Sequence, residues 1–125
     1  MGSIEKTVCK VCDSFWQYKT GCGINHWNLD VVLPLFSQEK QLEIKAWAHD
    51  KVVPQFCFEY ARALCENCSG MVSVPTLTLL PESIQYVGNC EHCDSQVSLV
   101  KHINMANCPK CGSGSLENQR EGLWD

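Results

Sequence analysis

Four Cys-x-x-Cys doublets, Cys9/Cys12, Cys65/Cys68, Cys90/Cys93 and Cys108/Cys111, set the terms on which this chain can fold. They use eight of the ten cysteines in 125 residues and leave Cys22 and Cys57 over. In such a turn two thiolates converge on one ion while backbone amides point at the sulfurs, and structural zinc sites are assembled from pairs of these turns. The other use of ten cysteines, five disulfides, needs an oxidising compartment. The opening residues MGSIEKTVCKVCD hold no apolar signal core, and Lys6 stands where a myristoylation pattern needs a hydroxyl. Uninterrupted apolar stretches are too short to cross a bilayer. The expectation is a reducing compartment, cytoplasmic or, in a eukaryote, nuclear, with no membrane association and with metal in place of disulfides.

A chain of this length forms one ordinary domain or two very small ones, and cores below about 70–80 residues usually need a staple. Aromatic side chains are unevenly placed: Phe15, Trp16, Tyr18, Trp27, Phe36, Trp47, Phe56, Phe58 and Tyr60 precede residue 61, and Tyr86 and Trp124 follow it. The first part can therefore build an apolar core, whereas the last must replace core with metal. Alternation of Leu42, Ile44, Ala46 and Ala48 with Glu43, Lys45 and Trp47 predicts a half-buried strand in QLEIKAWAH. DVVLPLF and MVSVPTLTLL also read as strands, each interrupted by a proline that favours an edge or bend. VPQFCFEYARALC divides between a strand, on the alternation of Phe56, Phe58 and Tyr60, and a short helix opened by Pro54; the strand is preferred. SIQYVGN and QVSLVKH complete a mostly β chain. The expected organisation is a zinc-knuckle domain with an aromatic, β-rich insertion over residues 1–82, a zinc ribbon over 83–116 and a flexible tail over 117–125.

Spacing favours Cys90-x2-Cys93-x14-Cys108-x2-Cys111 as one four-thiolate set, since it flanks the β-like residues Val97, Leu99 and Val100. Cys9, Cys12, Cys65 and Cys68 then share a second ion across 52 intervening residues, a long gap whose closure cost grows only with the logarithm of its length. Two other groupings remain open. One joins Cys9, Cys12, Cys22 and His26; the other pairs Cys65/Cys68 with Cys90/Cys93 and Cys9/Cys12 with Cys108/Cys111, which requires the two ends of the chain to meet. Cys57, between Phe56 and Phe58, reads as a small buried hydrophobe, and Cys22, between glycines, as a turn residue.

On CEHC, CPKCG and the apolar strand between them, residues 84 to 116 resemble a zinc ribbon. That resemblance implies a three-stranded β fold clamped by one zinc ion. The segment is also similar to the rubredoxin-like domain of rubrerythrins, which shares the Cys-Pro-x-Cys turn and binds iron. Asp94 and Ser95 stand here where that family commonly carries glycine and an aromatic, so zinc is the expected metal. Cys9/Cys12, His26 and LCENC partly resemble HNH-type nucleases, in which zinc turns bracket a catalytic histidine; Asn25 and Trp27 beside His26 depart from that motif.

A zinc ion held by four thiolates has no open position for water or substrate, which points away from an enzyme. Formal charge is −4 with neutral cysteines, and two four-thiolate zinc centres would add roughly −2 apiece. Lysines and arginines make no run, so the field is poor for phosphate backbones, although Lys101 and His102 could touch nucleic acid. The preferred expectation is a non-catalytic adaptor or regulatory subunit with two zinc ions and a protein partner. Its expected contacts are His92, Lys101, His102, Trp27 and Trp47; nucleic-acid binding is the alternative and an HNH-like nuclease using His26 the lesser one.

Overall fold

The computed structural model describes residues 2–125, and these form a mostly β protein around one antiparallel sheet. Its strands are β1 (Gly2–Cys9), β2 (Phe15–Gly21), β3 (Phe56–Cys65), β4 (Gly70–Leu79), β5 (Ile84–Val87), β6 (Ser98–Leu99) and β7 (Leu116–Trp124). Sheet order is β5-β4-β3-β2-β1-β7, with β6 on β3. Between β2 and β3 lie helix α1 (Leu29–Val32), two 3₁₀ turns and helix α2 (Gln38–Ala48).

A three-stranded outer unit and a four-stranded inner unit, β5-β4-β3 with β6, are nested in this order. The outer unit pairs β1 with β2 and with β7, so the first and last strands of the chain are neighbours. The inner unit pairs β3 with β4 along its whole length and with β6 at Ala63 and Leu64. One backbone pair, Gly21 with Tyr60, joins them. Side chains complete the joint. Glu5 on β1 accepts from Asn118 Nδ2 at 3.0 Å and Thr20 Oγ1 at 3.1 Å, and its carboxylate lies 3.5 Å from the guanidinium of Arg62 on β3. Tyr18 Oη donates to Asn118 Oδ1 at 3.1 Å and sits 2.6 Å from Thr7 Oγ1, which extends the polar network through the outer sheet.

The main core lies under β3 and β4. Phe58, Tyr60, Leu77 and Leu79 point from one face against Val32, Leu33, Phe36 and Ile44 of the helical segment. QLEIKAWAH, expected as a strand, is helix α2. Its alternation gives way to helical spacing: Ile44 is fully buried and Trp47 packs on the core, while Leu42 is 62% exposed. Gln, Glu, Lys, Leu and Ala are strong helix formers, and Ser37 caps the helix by accepting from Lys40 N. DVVLPLF is helical too, because Asn28 Oδ1 accepts from Asp30 N and Pro34 opens a 3₁₀ turn.

Residues 117–125, expected as a tail, carry most of β7. Alternation of Leu116, Asn118 and Arg120 sets them against β1, with Glu121 as the extra residue where the register shifts between Ile4 and Glu5. Trp124 fixes the far end by donating from Nε1 to Thr20 O at 3.0 Å. No helix among the described residues is long and apolar enough to cross a membrane.

Candidate metal centres

Three of the doublets make the same turn, and the fourth, at Cys65, is a variant in which Ser69 N donates to Glu66 O at 3.3 Å. Cys9 N donates to Ser14 O at 2.9 Å and Asp13 N returns to Cys9 O at 2.9 Å. Cys90 with Ser95 and Asp94 repeats this, as does Cys108 with Ser113 and Gly112, and Cys65 pairs with Gly70 in the β3–β4 ladder. The residue after the second cysteine takes a left-handed conformation each time: Asp13 at φ 62°, Ser69 at 52°, Asp94 at 60° and Gly112 at 77°. Gly, Asp and Asn adopt that conformation at least cost, which accounts for three of the four positions. Each turn buries its first cysteine and leaves the second exposed or half-exposed.

The turns meet in two groups, Cys9, Cys12, Cys108 and Cys111, and Cys65, Cys68, Cys90 and Cys93, with each group's sulfurs within 4.8 Å of one another. Separations are 3.5 Å for Cys9–Cys111, 3.7 Å for Cys12–Cys108, 3.5 Å for Cys65–Cys93 and 3.8 Å for Cys68–Cys90. A tetrahedral ion with metal–sulfur bonds of about 2.3 Å requires sulfurs about 3.8 Å apart, so both sets fit such an ion. A disulfide at about 2.0 Å does not describe them. The donor set, four soft thiolates in two rigid turns, could hold one metal ion in each group.

This grouping corrects the one that spacing favours. Cys90/Cys93 and Cys108/Cys111 lie in different groups, and each group takes one doublet from residues 1–82 and one from 83–116. The physical reason is β7: by pairing with β1 from Cys9↔Leu116 onward, it brings the 108–111 turn beside the 9–12 turn. The 90–93 turn is carried by the segment leading from β5 to β6, whose pairing with β3 at Ala63 sets it over Cys65.

Electrostatically the two groups are built alike. Hydrogen bonds from the side chain and backbone of Ser14 hold the Cys12 thiol down at about 6, and the Ser95 hydroxyl, with Asn67, holds Cys93 at about 5. Opposite each stands a reluctant thiol. Hydrogen bonding to Cys93 pushes Cys68 up to about 12; at Cys111 the Ser113 amide favours the thiolate, but desolvation and the sulfurs of Cys9, Cys108 and Cys12 prevail, again to about 12. Four thiolates cannot crowd together unaided, and a divalent cation relieves that repulsion.

Cys22 and His26 lie outside both groups. His26 Nδ1 accepts from Gly23 N at 2.8 Å, and its ring packs 4.6 Å from Phe58 and 5.9 Å from Trp124. Burial, with Lys19 second, lowers its pKa. Cys57 is exposed, not buried: on β3 it alternates with the inward Phe58. Of the expected partner contacts, Trp27, His92, Lys101 and His102 are exposed. Trp47 is committed elsewhere, with Lys51 Nζ 4.6 Å over its ring and Nε1 donating to Glu82 Oε2 at 3.4 Å.

Sequence reasoning missed Ser14, Ser95 and the left-handed residues, although a signal exists. CKVCDS, CENCSG, CEHCDS and CPKCGS share Asp, Ser or Gly and then Ser or Gly after the second cysteine, and each group joins one Asp-Ser turn to one Ser/Gly turn. No protein-family model, curated protein or solved structure matches the chain.

Proposed function

We infer that the protein is a non-catalytic adaptor in which two zinc ions staple the nested sheet and the helical insertion meets a protein partner. The observation that carries this reading is the distribution of exposed apolar side chains. Of the thirteen large ones among the described residues, seven fall within residues 24–53: Ile24, Trp27, Val31, Leu35, Leu42, Val52 and Val53. Trp27 is 77% exposed and Val52 99%. Exposed aromatic and aliphatic side chains gathered on one segment mark protein contacts. Zinc suits the donor set because it is indifferent to d-electron geometry and is held tetrahedrally by four thiolates, a saturated shell with no room for substrate. Nucleic-acid binding would have to work from Lys101 and His102 on a chain of formal charge −4.

The test is a photoreactive residue at position 27, with position 119 on β7 as control, in the metal-loaded chain inside the cells that make it. Protein adducts from position 27 and none from 119 support the reading. Recovery of nucleic acid, with affinity that falls steeply as salt rises, would replace it with the nucleic-acid alternative.

A further inference from the structure

The segment that links the two metal groups carries a cavity of about 370 Å³, lined by Leu99, Val100, Lys101, His102, Met105 and Ala106. Its ionisable lining residues, Lys101 and His102, are both basic. We propose that this cavity is a docking groove for an acidic segment of a protein partner, one that presents an aliphatic side chain between carboxylates. No residue of the helical insertion lines it, so it is a second surface beyond the one around Trp27.

Both ends of the groove are fixed before anything binds. Leu99 packs against the cluster of Ala63, Cys65, Val74 and Cys90, β6 pairs there with β3, and Val100 N donates to Arg62 O at 2.9 Å. Ala106 packs against Cys9, Cys108 and Leu116, after a 3₁₀ turn over Ile103–Met105 in which Met105 N donates to His102 O at 3.1 Å. A wall formed in advance costs little ordering on binding. Its lining divides by polarity. Leu99, Val100, Met105 and Ala106 are apolar, and Met105, 80% exposed and unbranched, can adapt to an aliphatic guest. Lys101 and His102 are exposed, and neither enters an ion pair among the described residues, so carboxylates beside that guest meet unpaired donors. Leu99, Val100 and Lys101 also border a neighbouring cavity that holds Glu5, Glu59 and Arg62. There Glu5 is occupied by Arg62, Asn118 and Thr20, whereas Glu59 is exposed. A carboxylate is therefore received on the Met105 side of Lys101 and repelled on the Glu59 side. The chain's formal charge of −4 opposes an acidic segment at long range, so the attraction is local and weakens with salt. A phosphate backbone fits less well, because two basic residues are few and no aromatic ring lines the groove for a base to stack on.

The experiment titrates the metal-loaded full chain with blocked Glu-Glu-Leu-Glu-Glu, its Ala-centred and Lys-flanked counterparts, and a short oligothymidylate, following the Met105 methyl and His102 ring signals by NMR. The leucine peptide is expected to shift both signals, to bind about fivefold more tightly than the alanine or lysine peptide, and to weaken as salt rises. Met105→Ala, which removes an apolar wall, should weaken it about threefold. Lys101→Glu should invert the charge preference, so that the lysine peptide binds better, while metal content stays unchanged in both variants. Absence of binding, equal affinity for the Glu- and Lys-flanked peptides, or an unchanged preference in Lys101→Glu overturns the proposal. Oligothymidylate that moves the same signals at lower concentration than the peptide also overturns it and assigns the groove to nucleic acid. Because no residue of 24–53 lines the groove, its failure leaves the adaptor reading to the cross-link at position 27.

Discussion

Removing Glu5 should loosen the joint between the two nested units more than removing its partner Arg62. The two side chains are 16% and 15% exposed, and breaking a fully buried ion pair costs about 3–5 kcal/mol. Their 3.5 Å separation and residual exposure reduce this, so Glu5→Leu is expected to cost about 2–3 kcal/mol, since it strands Arg62 and leaves Asn118 Nδ2 and Thr20 Oγ1 without an acceptor. Arg62→Met is cheaper, about 1 kcal/mol: Arg62 Nε is already buried without a partner, and Glu5 keeps its other two donors. The double variant should lose about 2 kcal/mol, a coupling of about 1–2 kcal/mol. Urea unfolding at fixed free zinc, with metal content checked by mass spectrometry, gives the four corners of the cycle. Additivity within about 0.5 kcal/mol, or a larger loss for Arg62→Met than for Glu5→Leu, would refute the idea that this pair holds the units together.

Cysteine substitutions should remove metals one at a time: Cys65→Ser leaves the group of Cys9, Cys12, Cys108 and Cys111 loaded, and Cys108→Ser leaves the other, as native mass spectrometry of each variant will register. At Asp13 the left-handed backbone predicts that Asp13→Gly is neutral within about 0.5 kcal/mol, whereas Asp13→Val loses about 1–2 kcal/mol in thermal unfolding. For His26 the folded pKa lies below 6.5, so the unfolded chain binds the proton more readily. Its contribution is complete above pH 6.5 and declines as pH falls from 6.5 through the lowered value, so the stability difference between the wild type and His26→Phe should be flat above 6.5 and shrink below it. A difference that grows on acidification contradicts a neutral His26.

Much of this was legible in the sequence for reasons that are local. Cys-x-x-Cys turns depend on a few adjacent residues, and β3 and β4 declare themselves through alternation of Phe56, Phe58 and Tyr60 and through the run from Met71 to Leu79. The grouping of the doublets was not local. It depends on β7, whose Glu117, Gln119 and Glu121 read as polar tail because an edge strand with one face in solvent needs few apolar residues. Helix α2 misled for a related cause: Leu42, Ile44 and Ala46 alternate by chance, and only the core formed by Val32, Phe36 and Leu77 selects Ile44 as the buried one. Trp27 carried no sequence mark separating it from Trp47; burial decides between them.

Cys9, Cys12, Cys108 and Cys111 could hold one metal ion, and Cys65, Cys68, Cys90 and Cys93 a second. Substitution with cadmium-113 and proton–cadmium correlation NMR tests it directly, because each ion reports the β-protons of the cysteines bound to it. Two cadmium signals are expected, each correlated with four cysteines in those two sets. A single signal, or one whose correlations join Cys90 and Cys93 to Cys108 and Cys111, would contradict it.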